Sequence, residues 1–376
     1  MSGVVLVTGG DGHLGRRVAQ RLLSETEDHL VLAVRAADAV ELAAKEQSLH
    51  RSLGLRGPGS ERVAVRTEVV PVDLRAAEPF ARLDPARITA IVHSAARTAF
   101  TVRREEARQV NVEGTRRVSA FARRCPRLQR FLLLSTLYSA GRRTGTIEEA
   151  PHPSAAGFVN HYEWSKYACE QLLLDDGLPL SVARLATVVA EDGTGTVGQY
   201  NAYHNTLKLF FYGLLSLMPG DPATPLALTT ADFTGRGLAH LLRPEVPTGV
   251  YHLAPPPELT VTLGEVVETA FTTFEEDAAF RRRRMLRPRF CGIHSFRDMV
   301  EAARGLSGSP MALAMESVAP FAEQMFLSKR FETGRLHAVW PHAPAPDGRR
   351  LVEATCLQLI GTRWGRRHRP AQEETE

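Results

Sequence analysis

The sequence predicts an α/β protein built on a doubly wound parallel sheet, with a smaller, mostly helical C-terminal lobe. Three observations carry this. Short β-rich apolar runs alternate with helical stretches, the mark of βαβ units with helices on both faces. The first run, Val4-Val5-Leu6-Val7, leads straight into Thr8-Gly9-Gly10-Asp11-Gly12-His13-Leu14-Gly15. After about residue 190 the alternation gives way to apolar, aromatic and then helical sequence.

Leu14, Val18, Leu22 and Leu23 recur at helical spacing, so the glycine loop sits between a strand and a helix. Residues 30–34 read as a second strand, 39–53 as a helix and 54–60 as a glycine- and proline-bearing loop. A third strand at 69–72 ends in Asp73, and a fourth ends at Ile91-Val92-His93. A helix is expected around 105–123, then strands at 131–134 and 180–184. Residues 200–218 are apolar and aromatic, broken by Pro219-Gly220-Asp221-Pro222. A late strand follows at 250–253, and residues 263–335 are helical in character, carrying Arg281-Arg282-Arg283-Arg284. From Pro341 the chain is rich in proline and arginine and ends in an acidic tail. The expected division is a nucleotide-binding Rossmann domain over 1–190, with later strands to about 255, a substrate-binding lobe over 191–340, and an extension over 341–376.

Of 376 residues, 44% are hydrophobic and 23% charged, as in an ordinary globular protein. No apolar run approaches the roughly 20 residues that span a bilayer. The first strand starts at Val4, which leaves no room for a signal peptide. Cys125, Cys169, Cys291 and Cys356 lack metal spacing, so a reduced cytoplasm and no metal are expected. No recognisable nucleic-acid module accompanies the net charge of +4. Monomer and homodimer both stay open.

The glycine loop has the chemistry of a dinucleotide cradle: Gly9 permits the tight turn, Gly12 lets the backbone approach phosphate, and Gly15 lets helix pack on strand. Of 46 basic residues only Lys45, Lys166, Lys208 and Lys329 are lysines, yet Lys166 lies four residues after Tyr162. A compact ammonium can approach both a ribose hydroxyl and a phenol, where it would lower the pKa of the phenol and make Tyr162 a workable acid or base. Glycine loop and tyrosine–lysine pair together imply an NAD(P)-dependent oxidoreductase. The second strand ends Ala33-Val34-Arg35 with no carboxylate before Asp38, so Arg35, with Arg16 or Arg17, is expected to pair with the 2′-phosphate of NADP(H), favoured over NAD(H).

Thr8–Gly15, Val72-Asp73-Leu74, His93-Ser94-Ala95-Ala96, Asn111-Val112-Glu113-Gly114-Thr115, Ser135–Gly141 and Tyr162–Lys166 occur in order. In these motifs the chain resembles the extended short-chain dehydrogenase/reductase superfamily. Asn160-His161-Tyr162 and Met218-Pro219-Gly220-Asp221 place it nearest the fatty acyl-CoA reductase and carrier-protein thioester reductase branch. The resemblance implies that Asp73 and Leu74 border the adenine, that Ser94, Ala95 and Ala96 line the nicotinamide ribose, and that Asn111 holds a helix bend or ordered water behind the site. It implies that Thr136, with Ser135 as fallback, hydrogen-bonds the substrate oxygen beside Tyr162 and Lys166. The implied reaction is NADPH-driven reduction of a thioester, on CoA or on a carrier protein supplied in trans, to aldehyde or alcohol. Residues 200–218 read either as plain core, the commoner use of an apolar helix, or as the lining of an acyl tunnel, and Arg281–Arg284 read first as a solvated helix face, with contact to CoA phosphates or an acidic carrier as the alternative. The alternatives are a reductase, dehydrogenase or epimerase of a ketone, aldehyde, sterol-like alcohol or sugar nucleotide, and an NADPH-binding sensor. His13, in place of an aromatic or aliphatic residue, and Leu185, in place of proline, depart from the pattern.

Overall fold

The computed structural model describes residues 3–54, 64–305 and 309–365. Seven strands form one parallel sheet: β1 (Val4–Thr8), β2 (His29–Val34), β3 (Thr67–Pro71), β4 (Ala90–His93), β5 (Arg130–Thr136), β6 (Leu180–Leu185) and β7 (Gly249–Leu253). Their order is β7-β6-β5-β4-β1-β2-β3, and every neighbouring pair runs parallel. Leu6, Val7, Ile91, Val92, Phe131 and Leu133 are fully buried, as strands covered on both faces require. The order reverses between β1 and β4, and a ligand crevice forms at the carboxyl ends of strands at such a switch.

Helix α1 (His13–Glu25) issues directly from the glycine loop, and its buried stripe is Gly15, Val18, Ala19, Leu22 and Leu23. Helix α2 (Ala39–Ser52) follows β2. The helix expected over 105–123 is interrupted: α-helical at Arg104–Ala107, it widens into a π turn at Arg108–Val112 and resumes as α3 (Glu113–Ala122). Helix α4 (His161–Leu174) is capped by Asn160, which accepts from the Glu163 amide at 3.0 Å. Its buried face is largely polar, with Glu163, Ser165, Lys166 and Glu170.

One apolar core lies on each face of the sheet, and a third fills the second lobe. That third core is built by α5 (Ala202–Phe211), α7 (Leu263–Phe274) and α8 (Pro310–Ala322), while α6 (Ala231–Leu241) packs on α1. The stretch from Pro341 carries a further helix, α9 (Gly348–Gly361), whose Leu351, Val352, Cys356 and Leu359 enter the same core against α7. Their spacing is helical; the arginines and prolines around them hid it. Residues 263–335 are also less uniformly helical than expected: Arg289–Cys291 pairs with Leu217–Pro219, and Lys329–Phe331 pairs with Gly145–Ile147. Residues 55–60 of the expected loop, and the acidic tail, lie outside the described residues. Among the described residues no helix is long and apolar enough to cross a membrane, and no metal-ligating cluster occurs.

Candidate active site

A cavity of about 1330 Å³ opens at the carboxyl ends of β1, β4 and β5. Thr8, Gly9, Gly12, His13 and Leu14 line it from the glycine loop, and Arg35 from beyond β2. Asp73 and Leu74 contribute from beyond β3, and Ser94, Ala95 and Ala96 from beyond β4. Thr136, Tyr162 and Lys166 line the same cavity. Gly15 and Asn111, the one expected to let helix pack on strand and the other to hold a helix bend behind the cofactor, stand behind the lining.

The loop fits a pyrophosphate. Gly9 has φ 68°, and a Cβ there would lie 2.9 Å from the Ala95 backbone. A Cβ at Gly15 would strike the Gly9 carbonyl, so helix and loop approach as closely as they do only without side chains. Helix α1 is preceded in the cap position by Gly12, which offers no capping side chain, so its first-turn amides have no side-chain acceptor there and suit an anion.

The adenosine end corrects part of the charge argument. Arg17 is paired with Glu191, and Arg16 reaches back to the Gly12 carbonyl at 3.4 Å without lining the cavity. Arg35 is exposed and does line it. Asp38 is spent capping α2, accepting from the Glu41 amide at 2.8 Å. His13 lies 3.5 Å from Glu191; burial, then Arg17 and Arg16, hold its pKa down to about 4, so the contact is made by a neutral imidazole. Sequence reasoning missed Lys45 and Arg75. Lys45 sits 2.9 Å from Asp11 and donates to the Arg35 carbonyl at 2.5 Å, while Arg75 clasps Asp73 at 2.6 Å and lowers its carboxyl pKa. All four of these side chains line the cavity. A pairing across the glycine loop leaves no mark at local spacing.

Thr136 ends β5, is 6% exposed, and accepts from the Tyr138 amide at 3.2 Å. Accepting there leaves its one O–H to donate on the cavity side, where Tyr162 is its partner. Ser135, the fallback, donates to Glu170, which is paired with Arg184 at 2.7 Å; both of those side chains are fully buried. Ser135 also borders the cavity, but its hydroxyl is turned to that pair. Tyr162 and Lys166 lie one turn apart on α4 and face the same way. The phenol does not have the lowered pKa expected from the ammonium: burial pushes it well up, and a hydrogen bond with Thr136 offsets only part of this. Burial lowers the pKa of Lys166 in turn.

Asn111 occupies the π turn and is 1% exposed. It accepts from the Arg97 amide at 2.7 Å and donates to the Arg97 carbonyl at 3.0 Å and to Ser165 Oγ at 2.8 Å. Ser165 donates in turn to the Tyr162 carbonyl at 2.8 Å, so the bend grips α4. Alongside runs a second buried chain: Thr8 Oγ1 is 2.8 Å from His93, whose other ring nitrogen is 2.9 Å from Thr115. Burial, then the Lys166 charge, hold the His93 pKa down to about 3.

An aromatic group that the sequence did not reveal stands over the phenol. The Phe100 ring centroid is 5.9 Å from that of Tyr162, 6.1 Å from Tyr138 and 5.9 Å from Phe321 of the second lobe. Beyond it the second-lobe wall of the cavity carries Leu207, Phe210, Met218, Leu263, Val267 and Met325, with the polar Asn205, Glu316, Ser317 and Gln324 among them. Leu185, at the end of β6, also faces the cavity. None of Arg281–Arg284 lines it; Arg283 stacks over Phe211 and Tyr212 instead, at 4.7 and 5.3 Å.

A glycine cradle at a sheet switch point, with a tyrosine and lysine one helical turn apart, defines an NAD(P)-dependent oxidoreductase of the extended short-chain dehydrogenase/reductase type. The chain belongs to the family described as male sterility protein, whose profile matches residues 7–237. It is 30% identical over 273 residues, 68% of its length, to an isonitrile lipopeptide synthase of Streptomyces coeruleorubidus, covering 18% of that protein. It is 27% identical over 165 residues, 39% of its length, to the chloroplastic fatty acyl-CoA reductase 2 of Arabidopsis thaliana, covering 26% of it. The chain thus spans about a fifth to a quarter of the curated relatives it matches. In fold it is similar to the terminal R domain of the myxalamid PKS-NRPS pathway, with TM-score 0.74, 20% identity, and 96% and 91% of the two chains covered. A UDP-glucuronic acid 4-epimerase of Bacillus cereus shares the fold at TM-score 0.63, 15% identity, and 96% and 99% coverage.

Proposed function

We propose that the protein reduces an acyl thioester, carried on CoA or on a carrier protein, to an aldehyde or alcohol, with NADPH as coenzyme. The observation that carries this is the joining of Thr136, Tyr162 and Lys166 to an apolar wall in one cavity. A sugar-nucleotide site calls for diphosphate-binding cations on that wall, and Leu207, Phe210, Met218, Leu263 and Val267 stand there instead. The relatives named for lipopeptide synthesis and fatty acyl-CoA reduction support the same choice.

The coenzyme, when bound, supplies the hydride. Gly9, Gly12 and the start of α1 hold its pyrophosphate, and Arg35 meets the 2′-phosphate, Asp38 being engaged elsewhere. Thr136 donates to the thioester carbonyl oxygen and holds that carbon within reach of hydride. Tyr162, kept neutral by its raised pKa, gives its proton to the same oxygen. Lys166 steadies the ribose and balances the phenolate that remains. The hemithioacetal then loses its C–S bond, releasing the thiol as the carbonyl re-forms. Residues 1–190 with the later strands serve the coenzyme and the second lobe serves the acyl group, and a reduced cytoplasm suits the four free thiols.

The test is NADPH oxidation with a panel of acyl-CoA and pantetheine thioesters beside the matching aldehydes. Thioester turnover that is lost in Tyr162→Phe supports the proposal, and turnover of aldehydes or ketones alone refutes it.

A further inference from the structure

Gln324 is 4% exposed and sits in the short turn Glu323–Phe326 that follows α8. Its Nε2 donates to Glu163 Oε2 at 2.9 Å and to the Gly141 carbonyl at 3.4 Å, and its Oε1 accepts from Lys329 Nζ at 2.6 Å. These partners fix the amide orientation, since only the nitrogen can face a carboxylate and a carbonyl, and only the oxygen can face an ammonium. Each partner belongs to a different part of the site. Glu163 follows Tyr162 on α4, Gly141 closes the turn after Thr136, and Lys329 opens the strand paired with Gly145–Ile147. Asn160, the cap of α4, adds a bond to the Pro320 carbonyl at 3.3 Å. One turn before Gln324, on the cavity side, is Phe321, which packs on Phe100 and through it on Tyr162. Burial raises the Glu163 pKa to about 7 and lowers that of Lys329 to about 8, while the amide between them does not titrate.

We propose that Gln324 is a positioning residue: it registers the second lobe against the catalytic helix and, by placing Phe321, sets how tightly the acyl thioester is held. The substrate arm rests on the function proposed above. The link itself does not, because it is a contact between two lobes of this chain.

The experiment compares Gln324→Ala, Phe321→Ala and the double variant with the wild type. KM and kcat are measured on a thioester that the wild type turns over, NADPH affinity by fluorescence, and amide hydrogen exchange over residues 158–166 and 317–327. Gln324→Ala is expected to raise KM about tenfold while kcat and NADPH affinity stay within about twofold. The double variant is expected to match the worse single one, because both changes act through one ring. Exchange is expected to quicken in both segments together. Unchanged KM, an additive double variant, or NADPH affinity falling in step with KM overturns the proposal. If the wild type turns over no thioester, the functional reading fails by itself. The exchange arm then decides, and unchanged protection at 158–166 in Gln324→Ala overturns the link.

Discussion

Glu170 and Arg184 form an ion pair at 2.7 Å in which neither side chain is exposed, and Ser135 completes it from the strand that ends in Thr136. The pair is thus tied to the strand end that carries Thr136. Breaking one partner strands a buried charge, so Glu170→Gln is expected to cost about 3–5 kcal/mol of unfolding free energy. Urea titration checks this.

The two neighbouring hydroxyls are expected to part company in kinetics. Thr136→Ala loses a donor to the developing oxyanion and should lower kcat on the order of 10²- to 10³-fold. Ser135→Ala should reduce stability and leave kcat close to wild type. Steady-state rates beside melting temperatures separate the two.

The raised pKa of Tyr162 makes a statement about reductive turnover. A phenol held neutral by burial is a ready proton donor across the neutral range, so kcat in the reductive direction should show no loss assignable to its ionisation between about pH 7 and 9. A pH–rate profile with saturating coenzyme tests it.

Glu163 and the buried histidines pull stability in opposite directions. The Glu163 carboxyl has a folded pKa of about 7, above its ordinary 4.5, so the folded state holds the proton more tightly. Its contribution is whole below about pH 4.5 and is lost as pH rises through 7, a change of a few kcal/mol. His93 and His252 have folded pKa values near 3, below 6.5, so their contribution is present above 6.5 and lost as pH falls towards 3. Wild type should therefore weaken in acid, and its stability relative to Glu163→Gln should decline from pH 5 to 8. Denaturant titrations at several pH values test both signs.

Arg35→Ser should lower the preference for NADPH over NADH by about tenfold or more, mainly through KM for NADPH. An unchanged ratio would move the 2′-phosphate to Lys45 or Arg75.

The sheet was legible because its strands are apolar runs buried on both faces, and the glycine loop because its context was local. Tyr162 and Lys166 were legible for the same reason: four residues along a helix put them on one face. Helix α9 was masked by the composition around it, although Leu351, Val352, Cys356 and Leu359 keep helical spacing. The Phe100–Tyr162 ring contact, the Lys45–Asp11 pair and the Gln324 link join segments 62, 34 and 161 residues apart, and no periodicity carries such contacts. The expected lowering of the Tyr162 pKa failed because spacing shows that an ammonium is near but not how much water has been removed.

The central claim is tested most directly by stoichiometry. The purified chain is incubated with NADPH and an acyl-CoA thioester, and free thiol is titrated while NADPH oxidation is followed. Thioester reduction predicts one thiol released per NADPH consumed if aldehyde is the product, or one per two if alcohol is, with both signals abolished in Tyr162→Phe. NADPH oxidation without thiol release, or thiol release without NADPH oxidation, would contradict it.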